Sequence, residues 1–410
     1  MVFDINEFLE AVSNVLDVIE TDIFGVATNH SKRIAYFSNR IACALGLSPE
    51  IQYDLVALSI LHDNGASLKI LHDNLLGSSK SKQDFIESRK EHCTIGEYNV
   101  SSFPFLTSPE DIILYHHEKF DGSGFFGLRE SEIPLMSQLI NLADTLDLKY
   151  DLRSVFNNES LKDEIIEFIK DQSGKEFEPG LVKIAVQTIS RNEFWEHFSD
   201  DHIYEVLRQI TPPYKRQMSY EEIRDITKIF SHIIDAKSTF TMNHSSGLAE
   251  RMSRMAIFYG IDGDEYWKLM IASDLHDLGK LGVSNLILDK PGQLTDAEFN
   301  IIKEHPVIAK ESLEKVQGFD EISEWAYNHH EKINGSGYPR GLSADELDFN
   351  SRLLACLDIY QALGEDRPYR RAMDHDNAII ILQQMAQEGL IDAEITKDIA
   401  EQLLNFQHHN

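Results

Sequence analysis

Two sets of seven metal-type side chains run through this sequence in the same order, one a near-constant translation of the other. His30, His62, Asp63, His92, His116, His117 and Asp144 form the first set; His244, His276, Asp277, His305, His329, His330 and Asp358 form the second. The step between them is 213 or 214 residues at every position. So steady a step means two copies of one module, and it groups side chains that must meet in space. Ten of the 17 histidines fall in the two sets, which argues against scattered surface or core histidines. The repeat also extends past these residues. Thr28 to Leu47 lines up with Met242 to Ile261, and Phe177-Glu178-Pro179 falls opposite Ile391-Asp392-Ala393. The duplicated unit is therefore roughly 195 residues, a plausible single domain. This places a first domain at 1–195, a helical linker at 196–221 around Pro212-Pro213, and a second domain at 222–410.

Nearly every segment reads as helix. Thr295-x-x-Glu298 is a capping box that opens a helix running toward His305, which Pro306 follows. Ser108-Pro109 is expected to open another helix that runs to His116 and His117, and Gly122 and Gly335 to stop the helices carrying the paired histidines. Asp348 to Leu363 has helical apolar spacing and ends at Gly364. Alternating strand patterns are scarce. The expected fold is all-α, two tandem helical domains related by internal duplication.

Composition narrows the function classes. An apolar content of 42% and a charged content of 26% suit an ordinary globular chain of 410 residues. No run of about 18 apolar residues is present, so no membrane span is expected. Met1 to Glu20 lacks the basic start of a secretory signal. Cys43, Cys93 and Cys356 are widely spaced and fit a reducing cytoplasm better than a disulfide framework. The net charge of −30 repels DNA, RNA and anionic membranes. An anionic substrate would need local positive charge from metal ions or a few Arg and Lys.

Imidazoles and carboxylates drawn from separate helices suit a pair of divalent first-row metals. The adjacent His276-Asp277 pair is the natural centre, because one carboxylate can bridge two ions about 3.5–4 Å apart. Phosphoryl chemistry is the leading reading of such a site.

The stretches 275–283 (LHDLGKLGV), 329–342 (HHEKINGSGYPRGL) and 358–370 (DIYQALGEDRPYR) closely resemble the HD-GYP family of cyclic dinucleotide phosphodiesterases. With His244 and His305, the match covers the whole second module. The resemblance implies hydrolysis of cyclic di-GMP or 3′,3′-cyclic GMP-AMP at a bimetallic site, commonly of iron or manganese. One ion would take His244, His276, Asp277 and Asp358; the other would take Asp277, His305, His329 and His330. Lys280 would contact the scissile phosphate, Tyr338 of the Gly337-Tyr338-Pro339 signature would line the substrate site, and Arg367 and Arg370 would clamp phosphate oxygens.

The chain departs from the family pattern at several positions. Phe240 and Val26 stand where some relatives carry an acid for a third metal, so two ions are expected. Asn334 and Gln361 replace acids that the first module keeps as Asp121 and Asp147. A glutamine at 361 could pair with an adenine edge and admit cyclic GMP-AMP, or it could only brace the helix. In the first module Ala66 replaces the lysine, Gly124-Phe125-Phe126 replaces the signature loop, and the arginine clamp is missing. That module is expected to bind metal without catalysis and to serve regulation, packing or dimer formation, or a partner signalling protein. Two alternatives stand beside the main reading: another HD-type phosphohydrolase, and a non-catalytic effector that binds a dinucleotide or a protein.

Overall fold

The computed structural model describes residues 1–24, 29–67, 82–199, 202–238, 244–290, 292–366 and 370–404. It is all-α, and the described strands are two dipeptides, Val2–Phe3 and Arg216–Gln217. The chain forms two compact units, Val2–Arg216 and Gln217–Asn410, the latter including Met1. The boundary between them falls within the segment 196–221 expected as a linker, and the segment is divided between the two units. Ile203–Ile210 is a helix packed on helix His30–Ala44, with Ile203 and Leu207 fully buried. Burying two such side chains contributes roughly 3–6 kcal/mol, enough to hold the segment to the first unit.

The duplication is realised helix by helix. His30–Ala44 matches His244–Phe258, Pro49–Ile60 matches Gly263–Leu275, and Leu135–Lys149 matches Phe349–Leu363. In the second unit His244–Phe258 packs on Gly263–Leu275 and on Phe349–Leu363, which also packs on Asp320–Asn328. Leu248, Met252, Leu269, Ile322, Leu353 and Leu357 are fully buried among these helices. Helix starts follow local chemistry. Thr295 and Glu298 form the expected capping box. The Asp348 carboxylate accepts from Ser351 N at 2.7 Å and from Trp325 Nε1 at 2.8 Å, tying Phe349–Leu363 to Asp320–Asn328.

The copies differ in two places that bear on the site. Helix Lys82–Val100 is continuous in the first unit, whereas the second has Asp296–Lys303 followed by His305–Leu313. Pro306, in the first turn of the latter, cannot continue a helix from before it. The helix expected from Ser108 to His117 is absent, and residues 112–117 are turns. Ser108 and Asp111 have φ of 49° and 61°, and the Glu97 carboxylate accepts from the backbone N–H of Asp111, Ile113 and Leu114. In the second unit the helix ends at Asn328, well before Gly335, whose φ of 79° serves the following loop.

Candidate metal centre

Helix ends place most of the second set. His244 and His305 are first residues of their helices, His276 and His329 lie just past the ends of theirs, and Asp358 projects from the interior of Phe349–Leu363. His276, His305 and His329 each bond through Nδ1 to the carbonyl three residues earlier, at 2.9, 2.6 and 2.5 Å. Those carbonyls lie in the last turns of their helices, where backbone N–H partners run out. The bond fixes the tautomer, so each Nε2 keeps its lone pair for the centre.

The structure brings all seven together. His244, His276 and Asp358 form one triad and His305, His329 and His330 another, with ligand atoms within 4.8 Å of one another in each. Asp277 lies between them. Its Oδ2 is 3.3 Å from His276 Nε2 and its Oδ1 is 3.3 Å from His305 Nε2. His276 Nε2 and Asp277 Oδ1 are buried without hydrogen-bond partners. Buried polar atoms left this way are costly unless something else satisfies them. Unpaired lone pairs on N and O donors at this spacing fit divalent metal.

Protonation at Asp277, His329 and His330 suits ligation, whereas, against burial, the Asp358 and Glu365 carboxylates raise His244 to about 10. Burial would raise Asp277, but the His276 ring and the Lys280 ammonium hold it well below the usual carboxylate range. Burial and the neighbouring His305 ring push His330 down to about 3, and burial with the surrounding rings holds His329 far below its usual value. These imidazoles are neutral at pH 7, as ligation requires. The Lys280 ammonium lies 2.5 Å from Asp277 Oδ2. The His330 side chain is 24% exposed, so the centre opens on its side. There the Tyr338 ring lies 4.8 Å from that of His330, with Lys303 over its other neighbour Phe299 and itself.

Two expected substrate contacts are placed differently. Gln361 is 3% exposed and does not line the mouth; its Nε2 donates to Glu365 at 2.6 Å. Glu365 in turn lies 3.1 Å from His244 Nδ1. The Arg370 guanidinium donates to the carbonyls of Ala362 and Leu363 at 2.7 Å, capping the helix that carries Asp358. Arg367, and the departures noted at Phe240 and Val26, lie outside the described residues. Asn334 keeps the job of an acid: its Oδ1 accepts from Ser336 N, as Asp121 accepts from Ser123 N.

The first set repeats this geometry. His30–Asp144, His62–Asp63, His92–Asp63 and His116–Asp63 are 3.3, 3.4, 3.3 and 3.6 Å apart, each within 0.2 Å of its counterpart. His62 Nε2, His116 Nε2, Asp63 Oδ1 and Asp144 Oδ1 are buried without hydrogen-bond partners. A cavity of about 340 Å³ opens beside His117 and Asp144, with Phe125 where the second unit has Tyr338.

Several contributors were missed in the sequence. Glu118 and Glu331, each following a His-His pair, are buried and bind the next loop: Glu331 accepts from Arg340, Gly341 and Leu342 N, and Glu118 from Phe126 and Leu128 N. Their matching places in the two copies were the available signal. Glu365 falls opposite Asp151 at the same step, but Asp151 pairs with Arg153, so register alone did not mark Glu365 as a partner of His244. Cys93 lies with His92, His116 and His117 in one ligand cluster.

A family model described as HD domain matches residues 19–181 and 228–395. The chain is 30% identical over 390 residues to a 3'3'-cGAMP-specific phosphodiesterase 1 of Vibrio cholerae serotype O1, covering 94% of this chain and 88% of that protein. It is 34% identical over 316 residues to 3'3'-cGAMP-specific phosphodiesterase 3 of the same organism, covering 76% of this chain and 66% of that protein. A crystal structure of a cyclic GMP-AMP specific phosphodiesterase from V. cholerae matches with a TM-score of 0.66 at 25% identity, covering 99% of both chains. The chain belongs to the HD-domain family, as a tandem member of its HD-GYP phosphodiesterase type.

Proposed function

We propose that the second unit hydrolyses a cyclic dinucleotide, with 3′,3′-cyclic GMP-AMP as the preferred substrate and the linear dinucleotide as product. The observation that carries this reading is the pair of ligand triads hinged on Asp277, with Lys280 on that carboxylate and Tyr338 at the open edge. Relatives that match nearly the whole tandem chain carry the cyclic GMP-AMP name, which supports the choice of substrate.

His244, His276, Asp277 and Asp358 would hold one divalent ion, and Asp277, His305, His329 and His330 a second. Iron or manganese suits these nitrogen and oxygen donors. Such ions supply Lewis acidity toward a phosphoryl oxygen and activate water near neutral pH. The remaining work falls to the chain. Lys280 is the positive side chain at the bridging carboxylate and is placed to meet a phosphate entering from the His330 side. The Tyr338 ring offers a face on which a base or sugar can rest. Phe125 and Ala66 leave the first unit without these two contacts, so it binds metal and does not turn over substrate. Among the described residues no helix is long and apolar enough to cross a membrane. We place the reaction in the cytoplasm, where thiols such as Cys356 stay reduced.

The test is anaerobic purification, loading with Mn²⁺ or Fe²⁺, and product chromatography on both cyclic dinucleotides. Linear product formed faster from cyclic GMP-AMP supports the reading. Faster cleavage of cyclic di-GMP overturns the substrate choice, and binding without turnover of either replaces the enzyme with an effector.

A further inference from the structure

The first unit contains a potential ligand that the second lacks. Cys93 directly follows His92 on helix Lys82–Val100 and is fully buried. Its Sγ lies 3.5 Å from His92 Nε2. His92, Cys93, His116 and His117 present ligand atoms within 4.8 Å of one another. His116 Nδ1 is bonded to the Ile113 carbonyl at 2.6 Å, and its buried Nε2 has no hydrogen-bond partner. The second unit has Pro306 at the position matching Cys93, and a proline ring cannot ligate. Without that proline the first helix runs unbroken through His92, which carries the thiol into the cluster.

Ligand chemistry separates the two centres. The second offers only imidazole and carboxylate donors. The first adds a soft sulfur to three imidazoles, a donor set that favours tetrahedral zinc over manganese. We propose that Cys93, with His92, His116 and His117, makes the first unit a thiolate-containing zinc site, so that the two copies of one module hold different metals. Zinc has no redox chemistry and needs no open position in a structural site. The role this assigns to the first centre is structural. The proposal concerns the first unit alone and stands whatever substrate the second one cleaves.

The test uses the full chain, stripped of metal and reloaded with Co²⁺. A thiolate-to-cobalt charge-transfer band in the near-ultraviolet is expected in the wild type and in Asp277→Ala, and is expected to vanish in Cys93→Ser. Zinc reloading is expected to drop by about one equivalent per chain in Cys93→Ser. X-ray absorption at the zinc edge of the unmutated protein needs no variant to fold, and should show a sulfur neighbour at about 2.3 Å. A zinc shell of nitrogen and oxygen alone overturns the proposal, as does a cobalt band that survives Cys93→Ser.

Discussion

His244 and His30 occupy the same place in the two copies, yet different residues hold them. In the first unit Asp147 accepts from His30 Nδ1 at 2.6 Å and pairs with Arg33 at 2.7 Å. The matching positions in the second unit are Gln361 and Gly247. Gln361 now fills the space above Gly247, where an added Cβ would come within 2.5 Å of its Nε2. The carboxylate comes instead from Glu365, one helical turn later. Carboxylates behind metal-binding histidines typically govern metal affinity by 10–100-fold. Glu365→Gln should therefore weaken metal binding at the His244 triad by roughly tenfold or more, as measured by competition with a chelator. Gln361→Asp should leave the ratio of activity on the two dinucleotides unchanged, because the side chain is buried behind His244; a shift in that ratio would restore the base-reading role. Glu10 gives a separate prediction about stability. Burial pushes its carboxyl from 4.5 up to about 8, and its Oε2 has no hydrogen-bond partner. The folded value lies above the unfolded one, so the contribution of the protonated form is complete below about pH 4.5 and is lost as pH rises through about 8. Glu10→Gln should raise first-unit stability above pH 8 by an amount on the order of a few kcal/mol, with little change near pH 4. Equal denaturant midpoints at pH 8.5 would contradict this.

The elements that hold the ligands depend on close backbone approach. Gly279, in the 3₁₀ turn Leu278–Gly282, lies so near His305 that a Cβ would sit 2.0 Å from its carbonyl oxygen, and Gly65 stands 2.2 Å from His92 O in the same sense. Gly279→Ala must move the turn carrying Asp277 away from His305. Metal analysis should then show loss of the ion at the His305 triad, with folding retained by circular dichroism; full metal content would contradict the packing account. Helices with strong local signals were legible from the sequence: the Thr295 capping box and the run from Asp348 to Gly364 formed as expected. The segment 108–117 was not, because its turns are held by Glu97 from a different helix, and a partner so distant leaves no local trace. The continuous helix through Cys93 was readable in principle from the absence of a proline where the second copy has Pro306.

Across the whole molecule, the constant step of 213 or 214 residues revealed both ligand sets in full, since duplication reports spatial grouping without any structural knowledge. It said nothing of Cys93, which stands opposite Pro306, and did not single out Glu365, whose register partner Asp151 pairs with Arg153 instead. Nor did it reveal that Gln361 is buried or that Arg370 caps the helix carrying Asp358, because both depend on the packing of neighbours rather than on spacing. Near-identical ligand distances in the two units show that ligand geometry alone does not separate catalyst from support. The separation rests on Lys280 and Tyr338, which only the second unit has. The most direct test compares turnover of cyclic GMP-AMP by wild type, Asp277→Ala and Asp63→Ala, each loaded anaerobically with Mn²⁺ or Fe²⁺ and checked for folding. Asp277→Ala should lose activity by roughly a thousandfold or more, whereas Asp63→Ala should keep most of it. A folded Asp63→Ala that is the more damaged of the two would put catalysis in the first unit and contradict the assignment.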